Sequence, residues 1–161
     1  MKTKKKIESV LILPDIRSAI NVGAMFRTAD VVGINKIYLT GYTPCPTDRF
    51  GRAQKDIAKS ALGAELTLPW IYEKSLVTLI QKLKRDEYTI VAIEQDEKSL
   101  DYKKIKQTPK MAFVIGNEVT GLSKEILKKC DVIAEITMVG QKESLNVSVA
   151  TGVALFRILN I

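Results

Sequence analysis

Short, almost wholly apolar runs alternate with helical periodicity along this chain, and that alternation leaves few architectures open. "SVLILPD", "NKIYLTG", "TIVAIE", "KMAFVIG" and "VIAEI" read as strands, and between them the hydrophobic period switches from two to about 3.6. A helix is expected after Ser18, a short one around residues 53 to 62, and another short one in "SKEILKKC". "KSLVTLIQKLKRDEY" is amphipathic, with Leu76, Leu79, Ile80 and Leu83 on one side. Strands this apolar need cover on both faces, which a parallel sheet between helical layers provides. The expected class is α/β, a mostly parallel sheet flanked by helices.

At 161 residues the chain has the size of one domain, and no repeat or low-complexity stretch divides it. A single domain over 1–161 is expected, with residues 1–6 a flexible basic tail carrying "KTKKK". The loop "GYTPCPTDRFG" has Pro44, Pro46 and Gly51 as breakers but marks no domain boundary. The last helix, "LNVSVATGVALFRILN", is apolar nearly all round, so it needs cover on more than one side, and a homodimer is the economical source. Runs such as "VALF" fall far short of a bilayer span, and no signal peptide opens the chain, so a cytoplasmic protein is expected. Cys45 and Cys130 stand alone and histidine is absent, which leaves a disulfide framework or zinc site without its ligands and removes the usual neutral-pH base. The excess of 25 Lys and Arg over 18 Asp and Glu, a net charge of +7, suits a protein that meets phosphate backbones.

Three segments carry polar residues that packing alone does not ask for. In "NVGAMFRTAD", Val22, Met25, Phe26 and Ala29 recur as a buried helical stripe, yet Asn21, Gly23 and Arg27 share the same turns. If Asn21 caps that helix, Ile20, Gly23, Ala24 and Arg27 lie on one side, and Arg27 leans over Gly23 as a recessed guanidinium. "GNEVTGLS" follows a strand and precedes a helix, but Leu122 stands where a P-loop needs lysine and Glu118 would repel phosphates. The dinucleotide fingerprint is also missing. "ITMVGQKESLNVSVATGVALF" places Gly140, Ser144 and Asn146 in a loop that runs straight into the apolar helix. A glycine loop and a polar helix start put backbone amides beside a crevice, which suits a small polar ligand.

Together these segments resemble the SPOUT superfamily of RNA methyltransferases, and within it the SpoU/TrmH branch that methylates ribose 2′-hydroxyls. Asn21, Gly23 and Arg27 match the first motif; Gly116, Glu118, Gly121 and Leu122 the second; Ile136, Met138, Gly140, Ser144, Leu145, Asn146, Val147 and Ser148 the third, with Thr137 in place of the usual proline. The resemblance implies a C-terminal trefoil knot, an exception to the rule that chains do not thread loops, and an active site assembled at a dimer interface. It implies S-adenosylmethionine as cofactor, no metal, and a binding set of Gly116, Asn117, Glu118, Gly121, Ile136, Met138, Gly140, Ser144, Leu145 and Asn146. Arg27, Asn21, Glu118, Ser144 and Asn146 are the expected catalytic residues.

The sulfonium of such a cofactor is already an activated methyl donor, so the protein must position a hydroxyl, exclude water and dispose of a proton. A guanidinium is a poor base, and the reading favoured for Arg27 is a fixed cation that holds phosphate and steadies alkoxide charge, with the proton's destination open. Arg52, Lys55 and Lys59 fall within roughly 60° if helical at about 100° per residue, and with Arg17, Arg27 and Arg49 form the expected RNA contacts. With aromatics at 6%, recognition of a structured RNA by shape and backbone is expected over stacking. The branch often carries an N-terminal RNA-binding domain, and the expectation here is that specificity comes from the catalytic domain. The alternatives are a non-catalytic RNA-binding protein with the same fold and a base-methylating member of the superfamily.

Overall fold

The computed structural model describes residues 7–161; the expected basic tail at 1–6 lies outside the described residues. In chain order the elements are β1 (Glu8–Pro14), α1 (Ala19–Val32), β2 (Lys36–Thr40), α2 (Lys55–Ala61), α3 (Ala64–Thr67), β3 (Trp70–Glu73), α4 (Leu76–Arg85), β4 (Thr89–Ile93) and β5 (Leu100–Asp101), the last running into a single 3₁₀ turn at Tyr102–Lys104. β6 (Lys110–Ile115), α5 (Lys124–Lys129), β7 (Val132–Glu135) and α6 (Val147–Leu159) complete the chain. The seven strands form one all-parallel sheet in the order β3-β2-β1-β6-β4-β7-β5.

Alternation along the central strands explains why both sheet faces are covered. Leu11 and Leu13 of β1 and Met111, Phe113 and Ile115 of β6 belong to a core shared with α1 and α6. Val10 and Ile12, with Ala112 and Val114, face α4, where Leu79, Ile80 and Leu83 close a second core. Each such buried large side chain contributes about 1.5–3 kcal/mol. The expected α/β class is therefore met, with helical layers on both sides.

The strand order reverses between β1 and β6. The chain first winds outward through β2 and β3, then crosses to lay down β4 and β5 on the other side, and β6 afterwards fills the place between β1 and β4, so the carboxyl ends of β1 and β6 frame a switch point, where open parallel sheets bind ligands. β7 pairs between β4 and β5, both laid down earlier, a departure from sequential placement that agrees with the knotted C-terminal end expected of this fold.

Four local expectations are corrected. Ser18, not Asn21, caps α1: its hydroxyl accepts the Asn21 N–H at 3.2 Å, and Gly33 ends the helix with φ 79°. Asn21 thus sits in the first turn with its side chain free for other work. Gly23 is buried against α2 rather than leaving an open approach beneath Arg27, since a Cβ there would lie 2.5 Å from the Ile57 carbonyl oxygen. Arg27 itself is exposed, not recessed. α2 begins at Lys55 under a Gln54 cap, so Arg52 lies outside the helix and the predicted basic stripe shortens to Lys55 and Lys59.

Candidate functional site

Three loops at the carboxyl ends of the strands meet at the switch point. Glu118, in the loop after β6, reaches across to the start of α1, where its carboxylate accepts the N–H groups of Arg17 (3.0 Å) and Ser18 (3.2 Å). Those are unpaired donors at a helix N-terminus, where negative charge is also favoured by the helix dipole. Asn21 Nδ2 donates to the same carboxylate at 3.3 Å, and Asn21 Oδ1 accepts from Asn146 Nδ2 at 3.3 Å. One hydrogen-bonded chain therefore joins all three sequence motifs across about a hundred residues or more of separation. Burial works to raise the Glu118 pKa, but the N–H donors of Arg17, its own backbone, Ser18 and Asn21 outweigh it and hold the carboxyl below the ordinary carboxylate range.

Beside this chain opens a cleft of about 210 Å³. Its walls come from the end of β4 (Ile93, Glu94, Gln95), the end of β6 and its loop (Ile115 to Val119, with Gly121), and the segment leading into α6 (Ile136, Met138, Ser144, Leu145, Val147, Ala150). Of the expected cofactor residues, Gly116, Asn117, Glu118, Gly121, Ile136, Met138, Ser144 and Leu145 line it. Gly140 and Asn146 do not. Gly140 lies exposed on the loop with nothing within 4 Å of where a Cβ would stand. Asn146 caps α6, its Oδ1 accepting from Ser148 N–H (2.9 Å) and Val149 N–H (3.4 Å). The Asn117 side chain is buried and organises the loop itself: it donates to Asp15 O and to the Tyr42 hydroxyl, and accepts the Val119 and Thr120 N–H groups.

Sequence reasoning missed Glu94. Its carboxylate accepts the N–H groups of Gln95 (3.0 Å) and Leu122 (3.1 Å) and lies against both loop glycines. A Cβ at Gly116 would come within 2.1 Å of Glu94 Oε2, and one at Gly121 within 2.6 Å. Gly121 also has φ 64°, a backbone that disfavours side chains. Glycine at both positions thus lets a carboxylate share the cleft wall with bare backbone. The available signal was position, an acid directly after an apolar parallel strand, where ligand-contacting loops begin.

Arg27 stands apart from the cleft. It lies six residues beyond Asn21, about 9 Å along the helix, on the exposed side of α1, and makes no hydrogen bond or ion pair among the described residues. Of the remaining expected RNA contacts, Arg17 uses its backbone N–H to hold Glu118. Arg49 and Arg52 both lie over the Phe50 ring, and Arg52 also pairs with Asp48 at 2.7 Å.

The chain and its fold have counterparts among known proteins. A protein of Staphylococcus saprophyticus named for the TrmH family of tRNA/rRNA methyltransferases is 32% identical over 157 residues, covering 98% of this chain and 60% of its own. The chain therefore spans about 60% of the length of the curated relatives it matches. Among solved structures, the AdoMet-bound rRNA methyltransferase of Sinorhizobium meliloti superposes with a TM-score of 0.82 at 27% identity, over 98% of this chain and 58% of that one. The A. aeolicus TrmH/SpoU tRNA modifying enzyme gives 0.83 at 25% identity, over 98% and 76%. The family model described as the SpoU rRNA methylase family matches residues 8–156, which takes in all three motifs and every strand of the sheet, and the chain accordingly belongs to that family.

Proposed function

We propose that this chain acts as an S-adenosylmethionine-dependent methyltransferase that modifies a ribose 2′-hydroxyl of tRNA or rRNA, working in the cytoplasm as a homodimer. The observation that carries the reading is the hydrogen-bonded chain Asn146–Asn21–Glu118, which gathers the three motifs at one cleft. The residues present fit the cofactor. Ile93, Ile115, Ile136, Met138 and Leu145 offer apolar walls for a flat heterocycle, and bare backbone at Gly116 and Gly121 with the Glu94 carboxylate offers partners for sugar hydroxyls. Glu94 and Glu118 also give the cleft the sign that suits a cationic sulfonium.

When bound, that cofactor supplies an activated methyl group on sulfur. Everything else falls to the chain's own residues. Glu118 holds the loop after β6 against the start of α1 and so keeps the cleft wall in place. Asn21 and Asn146 fix the entry of α6 against α1. Arg27, unpaired and permanently charged, is suited to hold a substrate phosphate and to stabilise negative charge developing on the attacking oxygen. Its place on the outer face of α1 supports a site completed between two copies. Val149, Val153 and Phe156 form an exposed apolar stripe on α6 at 50%, 38% and 40% exposure, beside the α1 face that bears Ile20, Arg27 and Val31. Pairing two such faces would cover the stripe and bring Arg27 toward the neighbouring cleft.

The test is methyl transfer from labelled cofactor to fractionated total RNA, with the product mapped by nuclease digestion and mass spectrometry. A methyl group on ribose oxygen is the expected result. A methyl on a base, or cofactor binding without transfer to any fraction, would refute it.

A further inference from the structure

The loop between β2 and α2 ends in a tip that the cleft does not use. Thr47 and Ala53 form an antiparallel bridge, Asp48 N–H donates to Arg52 O at 2.9 Å, and Gly51 turns the chain with φ 76°. The Asp48 carboxylate accepts the N–H groups of Phe50 (2.8 Å) and Arg52 (3.0 Å) and the Arg52 Nε–H (2.7 Å). The tip is thus fixed by its own polar groups and needs no apolar anchor. Yet it carries Phe50, which is 67% exposed. A phenyl ring held in water gains nothing from burial, and a polar side chain would serve the turn as well.

What surrounds the ring gives it a purpose. The guanidinium carbons of Arg49 and Arg52 lie 4.7 and 5.1 Å from its centroid. Arg52 is tethered to Asp48, whereas Arg49 makes no ion pair among the described residues and rests on the ring alone. An exposed π-face, one fixed cation and one cation free to swing away are what an unpaired nucleotide requires, its base stacking on the ring and its phosphates meeting the guanidiniums. The loop leaves the same sheet edge as the cleft. At its start Tyr42 exposes its ring while its hydroxyl accepts from Asn117 of the cleft loop, and at its end Lys55 and Lys59 continue the positive charge along α2.

We propose that Phe50 is a base-stacking residue for an unpaired nucleotide of the RNA substrate, with Arg49 moving from the ring onto an adjacent phosphate. The proposal rests on the RNA-methyltransferase reading and sharpens it: the low aromatic content counts rings, not where they are held, and here one is held at a preorganised cationic tip.

Binding of a fluorescein-labelled single-stranded uridine dodecamer, a blunt RNA duplex and bulk tRNA is followed by anisotropy for the wild type, Phe50→Ala, Phe50→Leu and Phe50→Trp. Phe50→Ala and Phe50→Leu are expected to weaken binding of the dodecamer about tenfold and to leave the duplex within about twofold. Phe50→Trp restores the dodecamer affinity, while calorimetric affinity for S-adenosylmethionine and the unfolding temperature stay unchanged in all variants. Wild-type affinity for the dodecamer in Phe50→Leu, or equal losses on dodecamer and duplex, would overturn the stacking role alone. Failure of the wild type to bind any of the three RNAs would overturn it together with the RNA-methyltransferase reading.

Discussion

Gly23→Ala sets two effects of opposite sign against each other. Glycine inside a helix is worse than alanine by about 1 kcal/mol, so on propensity alone the substitution stabilises α1. The structure reverses the sign. A Cβ at position 23 would stand 2.0 Å from Ser60 Oγ, 2.5 Å from Ile57 O and 3.0 Å from Ala61 N. The hydroxyl can rotate away; the two backbone atoms of α2 cannot. Restoring ordinary contact at roughly 3.5 Å requires α1 and α2 to part by about 1 Å, and overpacking of that kind costs about 3 kcal/mol at the upper end of its usual range. The net loss is about 2 kcal/mol, or about 4–8 °C in unfolding temperature for a domain of this size. Circular-dichroism melts of Gly23→Ala and of Gly23→Ala combined with Ser60→Ala would measure it. The second change removes only the hydroxyl clash and should recover less than half of the loss. Because α1 also carries Asn21, whose 3.3 Å bonds to Glu118 and from Asn146 do not survive a 1 Å shift, methyl transfer should fall as well. An unfolding temperature equal to or above the wild type's would refute the packing argument, since propensity would then be the only effect present.

Other outcomes follow from the same geometry. Arg27→Ala, which removes a side chain without a hydrogen bond or ion pair among the described residues, should leave the fold and cofactor affinity near wild type and cut single-turnover methyl transfer about a hundredfold; calorimetry and quench-flow on the mapped RNA would check both halves. Asn146→Ala should lower stability by about 1 kcal/mol through the lost α6 cap and weaken cofactor binding through the freed loop, readable by urea titration and calorimetry. The folded-state pKa of Glu118 is depressed, so its contribution is full above the unfolded value near about 4.3 and is lost as pH falls through the folded one. The gap in unfolding temperature between wild type and Glu118→Gln should therefore hold from pH 6 to 8 and close in the acid range below about 4. Burial pushes the Cys130 thiol up to about 11, with Lys84 drawing it down and Asp131 up; at pH 8 it should react with Ellman's reagent far more slowly in the native protein than in urea, and equal rates would count against that burial.

The parts of the fold that a sequence can show are those whose burial is decided within one element. β1, β4 and β6 are buried on both faces, so their apolar runs announce them, and α4 carries its stripe at Leu79, Ile80 and Leu83. β3 is a four-residue strand on the sheet edge with Ile71 and Tyr72 exposed, and β5 has two residues held only by pairing with β7. Neither has a period long enough to detect. Gly23 was legible as unusual but not in its meaning, because the atoms that forbid a Cβ belong to α2, more than thirty residues on. Glu94 ends the strand run "TIVAIE" just before the polar "QDEKS", and its residue type says nothing of a role until Gly116 and Gly121 are seen to stand against its carboxylate.

The polar residues of the three motifs divide by whether the chain itself accounts for them. Asn146 caps α6 as Ser18, just outside the first motif, caps α1; Asn117 ties its own loop together, and Glu118 and Asn21 satisfy donors and acceptors at the α1 terminus. Each has a structural duty, so the presence of any one of them, taken singly, would be a weak argument for chemistry. Arg27 differs: it is a charged side chain on an otherwise apolar stripe with Ile20 and Val31, and among the described residues it makes no hydrogen bond or ion pair. A helix face meant only for water has no need to set its one cation between exposed apolar side chains, and a face meant only for a second copy would bury that cation unpaired at a cost of several kcal/mol. Both difficulties vanish if a phosphate arrives with the substrate, which makes the unpaired state of Arg27 the feature of α1 that points beyond the fold.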